Sequence, residues 1–140
     1  MIAAECIGDA KYFIRRATEY AQEREVFGRP IGQNQAVQFP IARSYVQCKA
    51  AQQMVLRAAT LYDEGGNSGE EANIAKYLAS EASWQAADMA MQTFGGFGFA
   101  EEYDIERKFR ESRLYRVAPI TNEFVLAYVG EKVLRLPRSY

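Results

Sequence analysis

Apolar residues recur at steps of three and four from the start of the chain: Ile2/Ala3, Cys6/Ile7, Ala10, Phe13/Ile14, Ala17 and Tyr20/Ala21, with charged residues between them. That period predicts one amphipathic helix from Ile2 to about Glu25. Phe27-Gly28-Arg29-Pro30-Ile31-Gly32 interrupts it, because neither glycine nor proline continues a helix cheaply. Asn34 is the expected N-cap of a second helix. Pro40 falls within that helix's first two turns, where a missing N–H is best tolerated. Its stripe runs through Val37, Ile41, Tyr45, Cys48, Ala51, Val55, Ala58 and Tyr62 to the break at Asp63-Glu64-Gly65-Gly66-Asn67.

Ser68-Gly69-Glu70-Glu71 has the spacing of a capping box and predicts the start of a third helix. Ile74/Ala75, Leu78, Ala82, Ala86 and Met89/Ala90 mark its inner face, and the alanines suit close helix approach. The helix should stop at Phe94-Gly95-Gly96-Phe97-Gly98-Phe99. From Glu101 to Arg116 the chain is highly charged, with a weak apolar face of Ile105, Phe109 and Leu114. Thr121 is the expected cap of a last helix that carries Phe124, Leu126, Tyr128/Val129 and Val133/Leu134 before Pro137. No segment alternates with period two for long enough to predict a strand. The expected fold is all-α, an antiparallel up-and-down four-helix bundle in a single domain over residues 1–140.

Composition narrows the chemistry more than the fold. With 49% hydrophobic residues, the 140-residue chain can bury a core, which excludes a disordered or solvating tail. Seventeen basic against eighteen acidic residues leave no field to attract nucleic acid or an anionic membrane. There is no histidine. Triads built on imidazole and histidine zinc sites are therefore excluded, and no metal site is expected. Cys6 and Cys48 are isolated thiols inside helical patterns, which fits a reducing compartment rather than a disulfide framework. No basic-then-apolar leader opens the sequence, and no apolar run reaches the ~18 residues of a membrane span. The expected location is the cytoplasm, either a bacterial cytosol or a matrix-like reducing interior.

Read residue by residue, the sequence offers few candidates for chemistry. The glycines at 95, 96 and 98 could admit a phosphate or a flat ring close to the backbone, but a helix stop followed by a turn uses glycine equally well. Arg24 could be presented to an anion at a helix end, or could belong to a solvated charged face. The run from Glu101 to Arg116 reads as a salt-bridged surface. Phe94, Phe97 and Phe99 are unusual in a surface turn and predict that it packs against something.

In this order the pieces resemble the C-terminal helical domain of acyl-CoA dehydrogenases. The resemblance is carried by Glu23-Arg24-Glu25-Val26-Phe27-Gly28, Gln35-Ala36-Val37-Gln38 with Ala42, and Ala75-Lys76. It continues through Gln92 to Phe99, Glu102-Tyr103, Arg107 to Arg113 and Thr121-Asn122-Glu123, over nearly the whole chain. It implies a flavoenzyme that also has an N-terminal helical domain and a middle β-domain, both absent from this sequence. Such enzymes oxidise acyl-CoA to trans-2-enoyl-CoA, with a carboxylate taking the α-proton and a hydride leaving for flavin N5. In most of them an electron-transferring flavoprotein accepts the electrons.

The same resemblance assigns roles. It implies Arg24 at the FAD pyrophosphate, Phe27 beside the cofactor, Gln35 at the adenine end, and Gln92, Gly95 and Gly96 along the flavin. These contacts would reach the FAD of a neighbouring subunit, whereas Thr121 and Glu123 would touch the FAD of their own. A homodimer or homotetramer is implied.

Two departures qualify the assignment. Ala118-Pro119-Ile120-Thr121 stands where many members have Tyr-Glu-Gly-Thr, so Pro119 replaces the catalytic glutamate and cannot accept a proton. Some relatives take the base from the start of the first bundle helix, a position that aligns just before Met1. Glu123 is a weak substitute, better read as a helix-start glutamate; Glu101, Glu102 and Glu111 are weaker still. Without its β-domain the chain alone is expected to be inactive. Two other readings are a non-catalytic assembly module and a flavin oxidase or hydroxylase on the same fold.

Overall fold

Helix α1 spans Ile2–Glu23 and buries Cys6, Ile7, Ala10, Phe13, Ile14, Ala17 and Ala21, the stripe predicted for it. The structure is a computed structural model and describes residues 1–139. At the end of α1 Arg24 turns extended, while its N–H still donates to the Tyr20 carbonyl at 2.8 Å. The next residues form a feature that period-two patterning could not reveal. Strand β1 (Glu25–Val26) pairs antiparallel with β2 (Arg29–Pro30). Each is two residues long, too short for alternation to register. The turn defines this hairpin: Phe27 and Gly28 both have positive φ, 55° and 76°, the backbone of a tight primed turn.

Helix α2 (Gln35–Asp63) accommodates Pro40 and keeps only Ser44, Cys48 and Ala51 buried. Asn34 sits at the N-cap without capping it. Its amide donates to the Ile31 carbonyl at 3.1 Å and accepts from the Arg29 guanidinium at 3.0 Å, so it closes the preceding turn instead. The predicted capping box before α3 (Gly69–Phe94) does not form either. Ser68 makes no cap bond, and Asn67 Oδ1 accepts the Gly69 N–H at 3.2 Å. An Asx turn one residue earlier thus satisfies the first free N–H of the helix.

Helix α3 is the axis of the bundle and touches α1, α2, α4 and α5. Its buried residues include Ala75, Ala79, Ala82, Ala86, Ala87 and Ala90. Small side chains bring neighbouring backbones close, and Phe13 of α1 supplies the bulk at the centre of the core. Helix α4 (Ile105–Leu114) returns along the others. Asp104 meets Tyr12 at 3.5 Å, Lys108 meets Asp9 at 2.6 Å, and Arg116 meets Glu81 at 2.8 Å. As α4 ascends in number, its α1 partners descend, which makes the two antiparallel. Ile105 is fully buried, but Leu114 is 56% exposed and drops out of the predicted apolar face.

Helix α5 (Asn122–Tyr128) is capped as predicted: Thr121 Oγ1 accepts the Phe124 N–H at 3.2 Å. The chain then loosens into a π turn over Val129–Val133. The architecture is an up-down-up-down bundle of α1 to α4, with α5 lying across α3. Among the described residues no helix is long and apolar enough to cross a membrane, and no cluster of three or more metal-ligating side chains occurs.

Candidate functional site

Six of the predicted site residues gather at one end of the bundle. Tyr20 stacks on Phe94 at 4.2 Å between ring centroids, so the last turns of α1 and α3 end side by side. Tyr103 closes the aromatic group, edge-on to Phe94 and tilted against Phe97, both at 5.4 Å. Arg24 is exposed, and its guanidinium carbon lies 5.7 Å from the centre of the Phe97 ring. That contact aims the charge along the turn that follows α3, and a cation on a ring face is worth about 0.5–1 kcal/mol at an exposed site.

The turn itself is a short 3-10 segment, Gly95–Phe99. Gly95 has φ 58° and ψ −134°, a backbone that side chains strongly disfavour. A Cβ at Gly95 or at Gly96 would meet nothing within 4 Å. The backbone here therefore faces open space. Gly98 differs: its Cβ would press on Met91 at 3.3 Å, so this glycine serves internal packing. The aromatic residues divide the same way. Phe94 packs into the bundle, Phe97 is half-buried under Arg24, and Phe99 is 74% exposed. The expectation that the turn packs against something holds within the chain through Phe94 and Phe97, which both meet Tyr103, and not through Phe99.

Phe27 is entirely exposed at the tip of the hairpin, on a backbone with φ 55°. A bulky residue in that region is strained and has no internal contact to justify it. Gln35 lies exposed on the first turn of α2. Nearby, a groove of about 540 Å³ between α2 and α3 is lined by Ala36, Pro40, Arg43, Asp88 and Gln92. It joins the start of α2 to Gln92 on the last turns of α3.

Thr121 and Glu123 are elsewhere. They flank Asn122, which is 1% exposed and is fixed to the first half of α3. Asn122 Oδ1 accepts from Lys76 Nζ at 2.6 Å, and its Nδ2 donates to Glu81 Oε1 at 2.7 Å. Arg116 Nε donates to the same Glu81 oxygen at 2.8 Å. Glu81 and Lys76 lie eleven and sixteen residues before Gln92 along α3, about 17 and 24 Å at 1.5 Å per residue. The two groups of predicted residues thus stand at separate places on one chain.

Pro119 is exposed and lines a shallow surface pocket with Ile120, Thr121 and Phe124. Glu123 is held below the usual carboxylate range by its own backbone N–H, the Thr121 hydroxyl and the charges of Arg116 and Arg113. A carboxylate so stabilised is a poor proton acceptor at neutral pH, which favours its reading as a helix-start residue. Glu111 is likewise held down, first by its bond from Lys108, and belongs to a charged surface that also includes Arg107 and Asp104.

The profile of the family described as "Acyl-CoA dehydrogenase, C-terminal domain" matches residues 1–134. Acyl-CoA dehydrogenase FadE12 of Mycobacterium tuberculosis is 42% identical over 142 aligned residues, covering 100% of this chain and 37% of that protein. The bundle superposes on butyryl-CoA dehydrogenase from Megasphaera elsdenii with a TM-score of 0.93 at 34% identity, over 96% of this chain and 35% of the other. It is also similar to PigA in its FAD complex, with a TM-score of 0.90 at 27% identity, over 94% of this chain and 34% of that one. The chain belongs to the acyl-CoA dehydrogenase family, as its C-terminal helical domain. It spans about 37% of the length of the curated relatives it matches.

Proposed function

We propose that this bundle is the FAD-binding and oligomerisation domain of an enzyme that oxidises acyl-CoA to trans-2-enoyl-CoA. One observation carries this reading most directly: an exposed arginine, held over Phe97, beside a glycine turn whose backbone faces open space. A fixed guanidinium suits the doubly anionic pyrophosphate, and bare backbone at Gly95 and Gly96 suits a flat ring. Arg24, Gly95 and Gly96 would hold FAD, which would supply a hydride acceptor for the β-carbon of the substrate. Phe27 and Gln35 extend the surface offered to the dinucleotide, and Gln92 borders the groove beside α2. This group serves the FAD of a neighbouring subunit, while Thr121 and Glu123 serve the FAD of their own. The distance of about 17–24 Å along α3 supports that division within a homodimer or homotetramer.

Acyl-CoA is the substrate of the assembled enzyme, and an electron-transferring flavoprotein is its electron acceptor. Pro119 has no group to accept the α-proton, so the base is supplied from outside these residues. The same proline favours a second reading, an assembly module that has kept the bundle and lost its chemistry. Visible absorbance of the purified full-length protein separates the two. Flavin bands near one per subunit support the enzyme, and a colourless oligomer supports the module. In the coloured protein, Arg24→Ala should weaken FAD binding roughly 10- to 150-fold, the loss of a charged hydrogen bond worth ~1.5–3 kcal/mol. Unchanged affinity in that variant would remove Arg24 from the site.

A further inference from the structure

We propose that Asn122, gripped by Lys76 and Glu81, is a positioning residue that sets Thr121 and Glu123 against the flavin of their own subunit; this rests on the function proposed above. Periodicity gave no sign of this group, because its members lie 35 to 46 residues apart in sequence. Asn122 is the first residue of α5, and every polar atom of its amide side chain is engaged. Its Oδ1 faces the Lys76 ammonium at 2.6 Å and the Ser80 hydroxyl at 3.0 Å. Ser80 is also 3.0 Å from the Tyr77 carbonyl and has one proton to offer between the two. Nδ2 faces the Glu81 carboxylate at 2.7 Å.

Charge fixes the orientation of the amide. Its oxygen must face the ammonium and its nitrogen the carboxylate, since the flipped form would oppose two donors on one side and two acceptors on the other. The main chain is held too: the Asn122 N–H donates to the Arg116 carbonyl at 3.0 Å, and Arg116 Nε returns to Glu81. A closed loop of hydrogen bonds thus ties the start of α5 to α3. Hydrogen bonds to charged partners in a buried setting are the strong ones. Lys76 is partly desolvated there, which pulls its ammonium below the usual range.

The consequence concerns the residues on either side. Thr121 is partly buried and Glu123 exposed, so neither is fixed by packing as Asn122 is. With both neighbours carried on a clamped residue, their hydroxyl and carboxylate are presented in one arrangement before ligand arrives. Binding then avoids the cost of ordering them.

The test uses the full-length protein loaded with FAD and reads three quantities: FAD dissociation constant, visible circular dichroism of the flavin, and thermal midpoint. Asn122→Asp sets a carboxylate against Glu81 and should weaken FAD by about tenfold or more and alter the flavin spectrum. Adding Glu81→Gln supplies an amide N–H to the new carboxylate and keeps an oxygen for Arg116. That double variant should return the affinity to within about threefold of the original protein. Lys76→Met tests the clamp from its other side and should also weaken FAD. As a stability control, Lys108→Met removes the ammonium that joins α4 to Asp9 at 2.6 Å; it should lower the midpoint and leave FAD affinity unchanged. Equal loss of FAD in Lys108→Met, or no recovery in the double variant, would reduce Asn122 to ordinary structural support and overturn the proposal. Thr121→Val distinguishes the two levels. If it weakens FAD while Asn122→Asp does not, the positioning role falls and the functional reading stands; if neither it nor Arg24→Ala weakens FAD, both fall together.

Discussion

Phe27 is a residue whose backbone and exposure work against the stability of its own chain. Its backbone lies at φ 55° and its side chain is wholly exposed, so within the chain it contributes strain and no packing. Phe27→Asn keeps a residue that tolerates this backbone and should raise the thermal stability of the isolated bundle by up to ~1 kcal/mol. The same change should weaken FAD in the full protein. Stability and binding moving in opposite directions is the signature expected of a residue placed for a ligand. Gly95 and Gly96 divide differently. Gly95→Ala should cost ~1–3 kcal/mol in a melt, because its φ and ψ favour glycine, whereas Gly96→Ala should leave the melt unchanged and reduce FAD affinity.

Cys6 gives a residue-scale prediction that does not depend on cofactor. Burial, aided by the Asp9 charge, pushes its thiol from an ordinary 9.0 up to about 12. A group whose folded value is raised stabilises the fold fully below its unfolded value and loses that contribution as pH climbs towards the folded one. Stability should therefore decline between about pH 9 and 12, and Cys6→Ser should flatten that decline. Iodoacetamide at pH 8 should label Cys6 only after unfolding.

At the scale of the element, the long helices were legible and the joints were not. Buried residues Cys6, Ala10, Phe13 and Ala17 on α1, and Ala75, Ala82, Ala86 and Ala90 on α3, fall where the period of 3.6 puts them. That works because a helix face is a local property, repeated over five or more turns. The joints depend on competition between neighbouring polar side chains. Ser68 makes no cap bond while Asn67 accepts the Gly69 N–H, and Asn34 turns back to Ile31. Both Ser68→Ala and Asn67→Ala can be made, and only Asn67→Ala should destabilise the bundle in a thermal melt, by the ~1 kcal/mol typical of a lost cap. The candidate site follows the same rule. Arg24, Gly95 and Thr121 became candidates because they sit in short sequence motifs. The Lys76, Glu81 and Asn122 grouping was not, since pairing across 41 to 46 residues leaves no periodic trace.

For the whole molecule, the charged face of α4 and the spacing of the two candidate groups along α3 are the two large features. Asp104 is held below its ordinary range by Arg107, and Glu111 by Lys108 and then Arg107. Depressed carboxyl groups contribute stability above the ordinary carboxylate range and lose it as pH falls through the folded value. The bundle should lose stability on acidification through this range. Asp104→Asn with Glu111→Gln should lessen that loss, though by under ~1 kcal/mol per pair because these groups are solvent-screened. The second feature is the separation of the two candidate groups, about 17–24 Å along α3 from Gln92 to the Glu81 and Lys76 anchors of Asn122. If each chain contributes to two flavins, then no chain completes a site alone.

Subunit complementation tests that claim most directly. Full-length Arg24→Ala and Thr121→Val proteins, each poor in FAD, are co-expressed with different tags and the mixed oligomers isolated. In a mixed pair one site carries both substitutions and the other carries neither. Flavin absorbance should recover to about half of the original protein, with the recovered sites binding FAD at the original affinity. Mixed oligomers as empty as either parent would place both residues in one subunit's own site and contradict it.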